Sequence, residues 1–307
     1  MATKSAAMKQ NAKIEEFMRL GGAKIPAGFA AKAKAATKSL LEKRLKSENT
    51  QRMQAAKLYS ELQGGAGVDI SDPANKKTLG ELLSSFKKMA GKKLAIPKAP
   101  VGVGGFLPGT IAGTVAPPFD FADTIPTVLA GPTPPMSVSA SINGQLSASV
   151  TSLQAPGFNG GNEYARVGIF FHPMTTGTLT ISAKPTYLFE WLTNSLNTSF
   201  VLSSGSVGLT IYGLDEFGHV YGEAGENAVS WQVLTTGEVN FGAGFDETMS
   251  LSASAQVDSS LVYLCFVEVD AGAAGVGWPG SLALAMASAT VPSISYEFVP
   301  RLVVEGF

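Results

Sequence analysis

Few residues in this chain could do chemistry near neutral pH. Of its 307 residues, two are histidine and one is cysteine, the types most readily turned to acid–base or nucleophilic work. Cys265 lies in the apolar run LVYLCFVEV, where a thiol packs as a small hydrophobe. Being alone, it also excludes an intrachain disulfide. His172 closes VGIFFHP before Pro173 and reads as a strand-end residue. His219 has richer company, because YGLDEFGHVYGEAGE sets it beside Asp215, Glu216, Glu223 and Glu226. Carboxylates of this kind are what a hard cation such as Ca²⁺ requires. The D-x-[DN]-x-[DN]-G spacing of a calcium loop is missing. A solvated hairpin with Asp215-Glu216 in its turn is therefore the simpler reading, and a metal set of Asp215, Glu216, His219 and Glu223 the weaker one.

The motifs of common catalysts are missing too. No G-x-S-x-G elbow occurs, the nearest stretch being Gly205-Ser206-Val207-Gly208, and no P-loop, H-E-x-x-H, C-x-x-C or G-x-G-x-x-G is present. Carboxylate pairs for glycoside hydrolysis are assembled from distant positions, and Glu190, Asp246, Glu247, Glu268 and Asp270 are the candidates. Acids at a surface far outnumber catalytic ones, so the expectation is a protein that is not an enzyme and needs no cofactor. Among the aromatics, alternation puts Tyr187, Phe189 and Trp191 on one strand face, as a core face would have them. Trp278, in the Gly-rich stretch AGAAGVGWPG, is the better candidate for an exposed ring that meets a ligand such as a glycan.

The elements that would position these residues change character along the chain. Residues 1–100 read as a basic α-helical arm or small bundle. Ile14, Phe17 and Met18 recur at helical spacing, and Pro26 is suited to a first helical turn. A long run of Ala, Lys, Leu, Glu and Gln reaches about Gln63, and Ser71-Asp72 then cap a third helix. Residues 101–135 form an apolar linker rich in Gly and Pro, expected to lie extended along a surface. From Met136 the period becomes two. MSVSASI and QLSASVTSL flank Asn143-Gly144, a strong hairpin signal. Further strands are predicted at Tyr164–Phe171, Thr178–Ala183, Val207–Tyr212, Val229–Leu234, Thr248–Val257, Leu261–Val269, Leu282–Ala289 and Ser293–Val299. Residues 136–307 are thus an acidic two-sheet antiparallel β-sandwich, with a jelly roll as one arrangement of it.

Charge divides at the same place. The first 100 residues hold 20 Lys and Arg against 8 Asp and Glu, a balance of +12; the remaining 207 hold 3 against 16, a balance of −13. Such an arm is aimed at something anionic. Lys24, Lys32, Lys34, Lys38, Lys43, Arg44, Lys46, Lys87, Lys88, Lys92 and Lys93 are the residues expected to meet it, whether nucleic acid or an anionic membrane. Docking on the chain's own acidic domain is the plainer alternative. The β region is poor in the lysines that normally guard sheet edges. Charged residues are absent from Thr124 to Asn162 and from Ala271 to Tyr296, so contact with further copies of the chain is expected there. The Met-Ala-Thr-Lys start has no apolar run of a secretory signal, and synthesis in the cytosol is expected.

A basic arm, a Gly/Pro linker and a low-charge β-sandwich together resemble in layout the shell proteins of small icosahedral viruses. The resemblance implies jelly-roll domains that tile a shell and arms that face the genome. The Ala- and Lys-rich helical arm departs from the Arg-rich arms of that class. The expected function is a non-enzymatic structural protein of a virion or other particle, self-assembling through its β domain. The alternative is a glycan- or receptor-binding sandwich whose helical arm tethers it or perturbs a membrane.

Overall fold

The computed structural model describes residues 25–40, 42–43, 104–106, 110–130, 136–153, 158–195, 199–276 and 281–303. One helix among them, α1 (residues 29–40), follows Pro26, whose carbonyl accepts from Phe29 N–H at 3.1 Å. The rest is strand: β1 (Gly104–Phe106), β2 (Ile111–Val115), β3 (Phe121–Ala130), β4 (Met136–Ala140), β5 (Gln145–Leu153), β6 (Phe158–Phe171), β7 (Gly177–Ala183), β8 (Thr186–Asn194), β9 (Phe200–Leu214), β10 (Val220–Thr236), β11 (Val239–Asp246), β12 (Leu251–Val257), β13 (Val262–Val276), β14 (Leu282–Thr290) and β15 (Ile294–Val303).

All strand pairs are antiparallel. They form three sheets: sheet I, in which β1 and β2 both pair β15, followed by β7 and β12; sheet II, in the order β10-β9-β13-β6-β3; and sheet III, in the order β11-β8-β14-β5-β4. Period-two side chains make the layers. One face of sheet II (Val167 and Ile169 of β6, Leu209 and Ile211 of β9, Cys265 and Val267 of β13) packs in a single core with Leu179, Ile181, Ile294 and Phe298 of sheet I and Leu146, Ala148, Ala285 and Ala287 of sheet III. Sheet II is thus one layer of the sandwich, and sheets I and III share the other. Its opposite face bears Phe170, Tyr212, Leu264 and Phe266, which pack under α1.

The antiparallel sandwich is as expected, but its second layer is two sheets where a single one is expected. The expected linker, 101–135, supplies β1, β2 and β3. In β2 the residues Ile111, Gly113 and Val115 alternate inward as a strand requires. Pro126 falls on β3, an edge strand, where a missing N–H is tolerated. Strand β6 begins at Phe158, before the predicted Tyr164, because Gly160 lets it approach β13: a Cβ there would sit 2.7 Å from the Ala274 Cβ. The third helix and the arm beyond residue 43 lie outside the described residues.

Candidate assembly and arm-docking surfaces

The arm meets the β domain at α1. Phe29, Ala33 and Thr37 form the buried stripe of the helix, with Ala36 and Leu40 beside it. Phe29 meets Phe170 edge-to-face at 5.7 Å between centroids. Beneath Thr37 lies Arg166, fully buried on β6. Its Nε donates to Asp123 Oδ1 at 3.0 Å, and its Nη2 donates to Asp123 Oδ2 at 2.7 Å and to Thr37 Oγ1 at 3.2 Å. The guanidinium also stands 5.2 Å from the Phe266 ring centroid. Two parallel N–H···O bonds to one carboxylate are the geometry for which Arg is suited. The pair therefore ties β3 to β6, and Thr37 ties α1 to both. A cavity of about 240 Å³ runs alongside, between Ala30, Lys34 and Thr37 of α1 and Phe121, Asp123 and Phe170 of sheet II.

Of the arm's predicted anion-binding residues, Lys32, Lys34, Lys38 and Lys43 are described, and all four side chains are exposed. Lys32 Nζ donates to the Glu216 carbonyl at 3.1 Å, and Lys38 pairs with Glu42 at 3.8 Å. Helix α1 thus docks on the β domain through its apolar stripe and keeps its lysines facing water. Lys24, Arg44, Lys46, Lys87, Lys88, Lys92 and Lys93 lie outside the described residues, as does Trp278.

The His219 cluster is a hairpin turn between β9 and β10. Asp215 accepts from Phe217 N–H at 2.9 Å, His219 N–H at 2.8 Å, His219 Nδ1 at 2.9 Å and the Tyr221 hydroxyl at 3.1 Å. Burial alone would raise its carboxyl, but the bonds from His219, Tyr221 and Phe217 hold it down, at about 2. Its oxygens are therefore engaged by the turn itself. Glu216 is exposed, and Glu223 stands on β10 at the level of Tyr212. Among the described residues no three His, Cys, Asp or Glu side chains are grouped to hold a metal. At the tip, Phe217 is 77% exposed. His172 Nε2 donates to the Ser259 carbonyl at 3.2 Å. Burial pushes the Cys265 thiol far up, away from thiolate chemistry.

The proposed carboxylate pairs are scattered. Glu190 points outward on sheet III, and Asp246 ends β11, accepting from Thr248 Oγ1 at 2.8 Å. Glu268 and Asp270 share the arm-side face of sheet II, where Thr210 Oγ1 donates to Glu268 at 3.4 Å and Ser206 Oγ to Asp270 at 2.7 Å. Tyr187 is buried in the core, and Phe189 stacks on Trp231 at 5.6 Å, so the aromatic face of β8 is a core face. Sequence reasoning passed over Glu163, a carboxyl buried on β6 with Oε2 unpaired among the described residues. Desolvation pushes it up to about 7.

Sheet III carries the surface with the least ordinary pattern. Strand β14 buries Ala283, Ala285, Ala287 and Ala289 and turns Leu282, Leu284 and Met286 outward. The register places Leu188, Glu190 and Leu192 of β8 on that outward face, then Val239, Phe241, Ala243 and Phe245 of β11 on one side and Ser147, Ser149, Ser137 and Ser139 on the other. Phe241 is 80% exposed and Phe245 62%. Glu190 is the one charged side chain across the outward positions of the five strands. The two end strands, β11 and β4, each pair on one side only among the described residues.

No protein family matches the chain, and no curated protein does. Among solved structures, the chain is similar to the enzymatically active domain of tailspike protein 4 of bacteriophage CBA120, at 12% identity and TM-score 0.16 over 64% of this chain and 20% of that one. It is also similar to a carbohydrate-binding module of the β-sandwich superfamily, at 10% identity and TM-score 0.19 over 64% of this chain and 62% of that one. A third likeness is to an infectious bursal disease virus structure, at 12% identity and TM-score 0.13 over 67% of this chain and 51% of that one. The chain spans a fifth of the tailspike domain and less than two thirds of the other two. Likenesses this distant carry no argument about function, which rests on the residues.

Proposed function

We propose that this chain is a non-enzymatic structural protein of a particle, of the virion type. Its β-sandwich associates with copies of itself through sheet III, and its basic arm faces an anionic partner, nucleic acid before a membrane. One observation carries the reading: the outward face of sheet III presents Leu284, Met286, Leu188, Phe241 and Phe245 around a single charge, Glu190, between two end strands that each pair on one side only among the described residues. A solitary domain guards such edges with Lys or Pro. Covering one large apolar side chain is worth about 1.5–3 kcal/mol, so a surface of this composition gains by being covered. The inward alanines and outward leucines of β14 support the same reading, since a strand serving only its own core would reverse them.

Light scattering and electron microscopy of the full chain test the proposal. Large closed particles or defined oligomers are expected, and Ser288→Lys or Ser139→Lys is expected to dissociate them without unfolding. A wild-type chain that stays monomeric at high micromolar concentration overturns it. A second reading, recognition of a glycan, is favoured by the aromatic tip of the β9–β10 hairpin, where Phe217 stands 6.2 Å from His219 and His219 6.5 Å from Tyr221. Glycan binding that Phe217→Ala abolishes, by a chain that does not assemble, would select that reading instead.

A further inference from the structure

Strand β11 is nearly a palindrome. Around Ala243 the sequence reads Gly242 and Gly244, then Phe241 and Phe245, then Asn240 and Asp246. Among the described residues the strand pairs on one side only, its odd positions face outward, and Gly242 and Gly244 face the Trp191 and Phe189 rings. A closed two-fold contact requires a surface that complements itself, residue i meeting j and j meeting i. An edge strand achieves this when its sequence reads alike in both directions.

We propose that two copies of the chain join β11 to β11 in antiparallel register about a two-fold axis through Ala243, merging their sheets III into one ten-stranded sheet. The proposal rests on the self-association reading above and specifies its contact. In this register Phe241 lies opposite Phe245 of the second copy at both ends of the pair, Ala243 opposite Ala243, each glycine opposite a glycine, and Asn240 opposite Asp246. Aromatic pairs across strands are favourable, and an amide facing a carboxylate avoids the penalty of like charges.

The neighbouring registers fail on the same residues. Opposed residues must share a face, so the axis passes through a residue and never between two. Centred on Gly242, the pairing sets Asp246 against Glu238, two like charges, and Phe241 against Ala243. Centred on Gly244, it sets Phe241 against Glu247. Of the three, only the Ala243 centre pairs aromatic with aromatic. The Gly242 and Gly244 positions leave room over the rings of β8, since a Cβ at Gly242 would lie 2.5 Å from Trp191 and one at Gly244 2.4 Å from Phe189.

A charge swap within the full chain tests the register. Phe241→Lys alone sets two lysines against two phenylalanines, and Phe245→Asp alone sets two aspartates there. Each is expected to weaken association at least about tenfold, because both symmetric pairs are lost. Phe241→Lys combined with Phe245→Asp places Lys opposite Asp twice, and association is expected to recover most of that loss. Both positions are largely exposed, so melting temperatures should hold. Ala243→Cys supplies a second readout: directly opposed Cβ atoms lie about 4.5–5.5 Å apart, so a short thiol cross-linker should yield a covalent dimer, and the buried Cys265 contributes none. Recovery in the double variant, together with cross-linking of the Ala243→Cys variant, establishes the contact. A double variant no better than the singles, or no cross-link, in a chain that still assembles overturns this register and leaves self-association standing. A monomeric wild type overturns both.

Discussion

Replacing Glu163 with glutamine removes one ionisable group from the interior of the sandwich while preserving its shape. The residue is 2% exposed on the core-facing side of β6, opposite Ala271 of β13 and Pro126 of β3, with no cation beside it in the ladder. Desolvation raises its carboxyl from an ordinary 4.5 to about 7. In the folded chain it therefore keeps its proton up to about pH 7, whereas in the unfolded chain it loses it near 4.5. Between those values the folded state binds more protons, so stability falls as pH rises through the window. Below it, no penalty is felt. At about 1.4 kcal/mol for each pH unit the loss reaches about 3 kcal/mol by neutrality. In a domain of this size that is about 10 °C in melting temperature. Melting curves of wild type and Glu163→Gln from pH 4.5 to 8, at fixed protein concentration, give the test. The two should lie closest at the acid end and separate by about that amount as pH rises, with glutamine the more stable. Parallel curves across the range would refute the argument.

Other perturbations act on the arm and on the ion pair beneath it. Phe29→Ala removes the ring that meets Phe170, a loss of about 3–5 kcal/mol; since a helix this short is marginal alone, hydrogen exchange in residues 29–43 should accelerate while the sandwich keeps its melting temperature. Asp123→Ala leaves Arg166 buried and unpaired, at a cost of about 3–5 kcal/mol, whereas Asp123→Leu with Arg166→Met should cost less than either single change in chemical denaturation. Binding of the full chain to a nucleic acid should fall about 10³–10⁵-fold between 50 and 200 mM salt if six to ten phosphates are contacted. A chain beginning at Val101 should not bind at all.

The strands that could be read from the sequence are those whose alternation is uninterrupted. Strands β7, β14 and β15 fall within a residue or two of prediction at most ends, and the Asn143-Gly144 turn joins β4 to β5 with Gly144 at φ 86°. Strand β11 is absent from the predicted strands: Gly242 and Gly244 take the inward places of its alternation, and only the rings of β8 explain them. Strand β3 was hidden by Pro126, which only an edge position tolerates. Arg166 left no local signal: it stands in the apolar run of β6, and its partners Asp123 and Thr37 lie 43 and 129 residues away in sequence. Glu163 is hidden for the same reason, since a carboxyl's burial depends on sheets that the neighbouring residues do not specify.

Helix α1 and the proposed assembly surface occupy opposite sides of the sandwich, and this matters for the way copies would pack. Helix α1 lies on the outer face of sheet II, while the outward face of sheet III is the other side of the molecule. An axis perpendicular to sheet III, as the shared-face requirement at β11 demands, keeps both copies the same way up. Joined edge to edge, the two copies then form one layer, with both α1 helices on the same surface of it. Lysines at Lys34, Lys38 and Lys43 would gather on that side, and their mutual repulsion would be relieved by a polyanion there. An axis lying in the plane of the sheet would alternate the arms and forfeit this sidedness. The proposed β11 contact and a polyanion facing these lysines would thus fit one arrangement, a paired layer with one basic face.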